Sequence, residues 1–96
     1  MQEKSKSVWF KQVYVNDVLS GAKQDTWRRP TEKIEVGMLL RFSVGPRKPF
    51  ALARAIEVND ILSENVEPAK LEVLIQLYGE LPSYRQIVFK VFEVCS

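Results

Sequence analysis

The chain contains no histidine and a single cysteine, Cys95. These absences exclude a Ser-His-Asp triad, a Cys-His pair and any zinc site built from histidine or cysteine. No intramolecular disulfide can form, which fits a reducing compartment. With no imidazole to activate it, Cys95 reads as a small packing residue rather than a nucleophile. Long apolar runs are missing too. Nothing approaches the roughly 18 residues a membrane helix needs, and the opening MQEKSKS lacks the apolar centre of a signal peptide. A cytoplasmic location without a membrane partner is therefore expected. The net charge of +2 is too small to argue by itself for a nucleic-acid partner. Any catalysis must run on Lys, Thr, Ser, Tyr, Arg and carboxylates. No cofactor is called for, and carboxylate-bound Mg²⁺ is the one metal arrangement the composition leaves open.

What is present is ordinary globular material. The 96 residues, 46% hydrophobic and 27% charged, are enough for one domain and too few for two. A single unit over 1–96 with a polar tail at 1–7 is expected. VWFK at 8–11 reads as a short strand rich in aromatic and β-branched residues. Val15, Val18 and Leu19 recur at helical spacing before Gly21, so a short helix is expected over roughly 13–20. DTWRR at 25–29 reads as a strand stopped by Pro30. In MLLRFSV, Leu40, Phe42 and Val44 share one face, the pattern of a half-buried strand. GPRKP at 45–49 is a turn, and FALARAIEV at 50–58 is a strand whose alanines leave room for another element or a ligand. NDILSENVE at 59–67 reads as an irregular connection. Pro68 then opens a helix with Leu71, Leu74, Ile75 and Tyr78 on one face, ended by Gly79. RQIVFKVFEV at 85–94 has the few polar interruptions of a strand covered on both sides. The order β-α-β-β-β-α-β predicts an α+β fold, a small curled, mainly antiparallel β-barrel flanked by two helices.

At the expected barrel rim stands GAKQDTWR, residues 21–28. A lysine just past a helix C-terminus has a structural explanation in the helix dipole. Thr26 and Arg28 would share one face of a strand, with Trp27 on the other. However, Gly21, Lys23 and Arg28 reproduce the G-x-K-x-x-x-x-R signature of the ASCH domains, which are similar to PUA domains. The resemblance covers roughly residues 8–94, with NDVLSGAK before the signature and VGMLLRF after it. The chain looks most like the small bacterial N4-acetylcytidine amidohydrolases, departing from them at Gln24, where threonine is common, and at the charged Asp25.

The resemblance implies that Lys23, Thr26 and Glu64 are catalytic. Glu64 is placed by SENVEPAKLEVLIQLYG, which resembles the glutamate-asparagine pair and following helix of those enzymes; Glu67 lies one turn away. Arg28 would hold a polar group of the substrate or brace Glu64. Tyr84, Phe10 or Trp9 could stack on a pyrimidine. The implied reaction is metal-independent hydrolysis of the exocyclic amide of N4-acylated cytosine nucleosides, with Thr26 as nucleophile. Lys23 and Glu64 pull against each other, because a carboxylate beside Lys23 would keep it charged. Either could be the base, or the two could share a proton. The alternative is an RNA-binding ASCH module with weak ribonuclease activity, its phosphate contacts drawn from Arg28, Arg29, Arg41, Arg47 and Lys48. A non-catalytic sensor of a modified nucleoside is a third reading. Both monomer and homodimer are compatible with the sequence.

Overall fold

The alternation of apolar and polar residues in LLRFS and its neighbours places one apolar face along each strand, and these faces meet inside a single curled sheet. The computed structural model describes residues 3–95. Its strands are β1 (Ser5–Trp9), β2 (Asp25–Arg28), β3 (Leu39–Ser43), β4 (Ala51–Leu62) and β5 (Ser83–Val94). Helix α1 (Val15–Ser20) follows β1 and helix α2 (Pro68–Tyr78) lies between β4 and β5. The order across the sheet is β1-β3-β4-β5-β2. β1 runs parallel to β3, and the other neighbours pair antiparallel. The expected α+β architecture is present as a five-stranded half-barrel with two helices, in which β1 and β2 remain edge strands. Among the described residues no helix is long and apolar enough to cross a membrane.

The curl arises in the long β4–β5 ribbon. Its register shifts between Leu52 and Ala53 and again between Ala55 and Glu57, and such bulges bend a strand and increase its twist. The concave face gathers Val8, Leu40, Phe42, Ala51, Ala53, Ala55, Ile87 and Phe89 into one core, with Val18 of α1 and Phe10 closing it. Phe42 meets Phe10 and Phe89 edge to face at 4.8 and 4.7 Å between ring centroids, a favoured aromatic geometry. The room left by the small alanines of β4 is therefore filled by phenylalanines of the same core. A second, smaller core lies on the convex side, where Leu74 of α2 packs with Val66 and Tyr84.

Two boundaries and the burial of β5 differ from the sequence expectation. β1 begins at Ser5, not at residue 8, because parallel pairing with Leu39–Ser43 draws polar residues 5–7 of the expected tail into the ladder. The first two residues of that tail lie outside the described residues. The connection expected at 59–67 begins as strand: β4 continues to Leu62, opposite Ser83, and only then turns through a short 3-10 segment, Ser63–Asn65. β5 is covered on both sides only over its first half. Beyond the reach of α2, Phe92 and Val94 are 51% and 61% exposed.

Phe42 is fully buried at the centre of the aromatic cluster. Phe42→Ala is expected to cost about 3–5 kcal/mol, read as a lower urea midpoint with little change in m-value.

Candidate active site

The segment that raised the functional question is held at both ends by backbone contacts. Gly21 ends α1 in the left-handed region, at φ 84°, a conformation available to glycine at little cost. The Lys23 amide then donates to the Asp17 carbonyl at 2.9 Å, and the Phe89 amide donates to the Gln24 carbonyl at 3.0 Å. The chain passes from helix to strand with little slack, and β2 pairs with β5, placing Thr26 opposite Ile87. Thr26 is buried and Arg28, two residues on, shares its face.

Arg28 has a structural task. Its Nη2 donates to the Trp9 carbonyl at 3.0 Å, and its guanidinium carbon lies 5.6 Å from the Phe10 ring centroid. It thus joins β2 to β1 across the open side of the half-barrel. Its Nε is buried without a hydrogen-bond partner in the protein.

Beside this seam is a cavity of about 280 Å³. Lys23, Thr26 and Arg28 form one wall, Trp9, Lys11 and Tyr14 a second, and α2 a third through Lys70, Leu74 and Tyr78. Val73 and Leu77, both half exposed, complete the α2 wall. Residues 70, 73, 74, 77 and 78 form a stripe at helical spacing. This stripe lies beside the one that was legible as core and shares Leu74 and Tyr78 with it. Lys70 was missed for that reason: it flanks the apolar stripe, and nothing local distinguishes it from a solvated lysine. Around the rim, the Lys70 ammonium lies 6.0 Å from the Trp27 ring centroid and the Lys23 ammonium 5.3 Å from that of Tyr14. The Tyr78 hydroxyl donates to the Trp27 carbonyl at 3.0 Å, fixing α2 against β2.

Half-buried Lys23 has its pKa lowered from the usual lysine value. Desolvation is the main cause, and the Lys70 and Arg28 cations add to it against the opposing pull of Asp25 and Asp17. A larger hollow, of about 480 Å³, opens on the other side of Lys23 between α1 and the end of β5. It contains neither Thr26 nor Arg28, so the smaller cavity is the one where the candidate residues converge.

Two of the sequence candidates are elsewhere. Glu64 lies in the 3-10 segment after β4, exposed, and does not line the cavity. Tyr84 is fully buried in the convex core. Its hydroxyl donates to the Gly79 carbonyl at 2.6 Å and accepts from the Leu81 amide at 3.2 Å, so it clamps the turn after α2 instead of facing a ligand. Both placements follow from β4 running longer than expected and from the parity of β5: Tyr84 pairs with Ile61 on the convex face.

In three-dimensional comparison, the ASCH domain from Lactobacillus crispatus JV V101 superposes with a TM-score of 0.73 at 13% identity, over 92% of this chain and 79% of that one. The chain has the fold of an ASCH domain. EF3133 from Enterococcus faecalis V583, a DUF984 protein, matches over the whole chain and 84% of its own length, with a TM-score of 0.70 and 14% identity. The hypothetical protein PH0355 gives 0.67 at 14% identity, over 95% of this chain and its own full length. No family model and no curated protein matches the sequence.

Two outcomes test this geometry. Tyr84→Phe removes the hydroxyl that satisfies the Gly79 and Leu81 backbone groups, and is expected to destabilise the fold by about 1–3 kcal/mol in urea unfolding. For Lys23, heteronuclear NMR titration of Nζ is expected to place the midpoint below the free-lysine value of 10.5. Lys70→Met should move it back upward, since a repelling cation is lost. Folding disfavours the charged form of Lys23, so this group's contribution to stability rises with pH between its folded and unfolded pKa values.

Proposed function

We propose that this ASCH-fold protein is a metal-independent amidohydrolase that removes the acyl group from N4-acylated cytosine nucleosides. The observation that carries the reading is the shared cavity of Thr26 and Lys23, with the lysine biased toward its neutral, basic form. Glu64 stands outside that cavity, which removes the conflict between a carboxylate and a neutral lysine. Lys23 is then the base.

In this mechanism the neutral Lys23 amine takes the proton of the Thr26 hydroxyl as Oγ1 attacks the acyl carbonyl. The oxyanion of the tetrahedral intermediate is stabilised by the Arg28 and Lys70 cations on facing walls. Lys23, now protonated, delivers its proton to N4 as the C–N bond breaks, releasing the cytosine compound and leaving an ester on Thr26. Water, deprotonated by Lys23, attacks that ester, and the protonated lysine returns its proton to Thr26 Oγ1 as the acyl C–O bond breaks, freeing the carboxylic acid and restoring the hydroxyl. Trp9, Tyr14 and Trp27 supply aromatic surface for the pyrimidine.

The test is the initial rate of N4-acetylcytidine hydrolysis. Lys23→Ala and Thr26→Ala are each expected to lower kcat/KM by at least about 100-fold, with folding checked by circular dichroism. Glu64→Ala is expected to stay near the wild-type rate; a comparable collapse would return Glu64 to the catalytic set. An inactive wild type would overturn the reading.

A further inference from the structure

Lys23 is shared by two openings. It lines the candidate cavity and also the larger hollow between α1 and the end of β5. Its Nζ lies over the Tyr14 ring, 5.3 Å from the centroid, and Tyr14 belongs to the cavity wall. Among the described residues no carboxylate forms an ion pair with this amine, whereas Lys4 and Lys6 are paired with Glu35 and Glu32. Lys23 thus combines access with the lack of an ionic partner.

Its surroundings favour one class of reagent. Lys11, Arg28 and Lys70 line the same cavity, and no carboxylate does. Asp25, the acidic residue two positions on, is engaged by the Gln86 amide at 2.9 Å. Such a set of cations concentrates small anions. Burial and the neighbouring cations also bias Lys23 toward its neutral form, and only a neutral amine carries the lone pair that attacks an acyl carbon. An acyl phosphate joins the two requirements, an anionic group for the cations to hold and an acyl carbon for the amine to attack.

We propose that Lys23 is a modification site, acylated directly by small acyl phosphates whose phosphate group is held among Lys11, Arg28 and Lys70. In the acetyl case, Nζ attacks the carbonyl carbon of acetyl phosphate, the bond from that carbon to the bridging oxygen breaks, and phosphate leaves with the electron pair. The phosphate takes the proton that Nζ gives up, so the products are acetyl-lysine and hydrogen phosphate. No further reactant is needed. The modification stands on the cavity alone; its consequence for activity, loss of the general base, rests on the amidase reading.

Incubating the folded protein with acetyl phosphate and following acetylation at each lysine by mass spectrometry tests this site. The initial rate at Lys23 is expected to exceed that at the exposed Lys33 and Lys48 by at least about fivefold. Inorganic phosphate, competing for the cations, should slow Lys23 selectively, and the uncharged N-hydroxysuccinimide ester of acetic acid should show a smaller preference. Lys70→Met should lower the Lys23 rate about twofold or more and leave Lys33 and Lys48 unchanged, with folding checked by circular dichroism. A Lys23 rate no higher than at those two lysines, or a preference that neither phosphate nor Lys70→Met reduces, would overturn the proposal. The readout is independent of turnover. Hydrolysis of N4-acetylcytidine without selective acetylation would sink this proposal alone. Selective acetylation of a protein that does not hydrolyse N4-acetylcytidine would support it and sink the amidase, and full activity after complete Lys23 acetylation would support it and remove Lys23 as the base.

Discussion

The open side of the half-barrel is spanned by a side chain where a closed barrel would have backbone pairing. β1 and β2 end the sheet at opposite edges, and Arg28 reaches from one to the Trp9 carbonyl of the other. The phenylalanine core makes this approach necessary, because burying Phe10, Phe42 and Phe89 together requires the sheet to curl until its edges face each other. A planar guanidinium suits the position. It donates to a carbonyl, lies against an aromatic ring and stays charged in a half-buried setting. Everything proposed for the site depends on this seam, since its cavity is the gap that Arg28 leaves between the two edges and α2.

Electrostatics separates the two roles that a lysine could take here. Lys23 loses hydration to the cavity walls and has cations, not carboxylates, as fellow lining residues. Asp25, its nearest acidic influence along the chain, is turned to the other face of β2 and accepts a hydrogen bond from the Gln86 amide at 2.9 Å. Strand parity thus holds the carboxylate that follows Lys23 away from Thr26.

The exposed apolar residues of α2 illustrate how one helix serves two faces. Leu74 is buried against Tyr84 and Val66, while Val73 and Leu77 remain half exposed. As a plain amphipathic helix, α2 would leave these two unexplained. As part of the cavity wall, they present apolar surface beside the Lys70 charge.

Much of this was legible in the sequence. The alternation in LLRFS, the punctuation by Gly21, Pro68 and Gly79, and the stripe in α2 reflect periods of two and 3.6 that any local segment carries, so element type and order could be read. The G-x-K-x-x-x-x-R spacing likewise placed Lys23, Thr26 and Arg28 together, because a helix cap and a four-residue strand are local structures. Glu64 and Tyr84 were another matter. Their positions depend on how far β4 and β5 stay paired, and that ladder joins residues separated by more than 20 positions. The meeting of Lys11 and Lys70 at the cavity is likewise a product of tertiary structure. Curling the sheet and docking α2 bring together Lys11, Lys23, Arg28 and Lys70, which are scattered along a chain of nearly balanced charge.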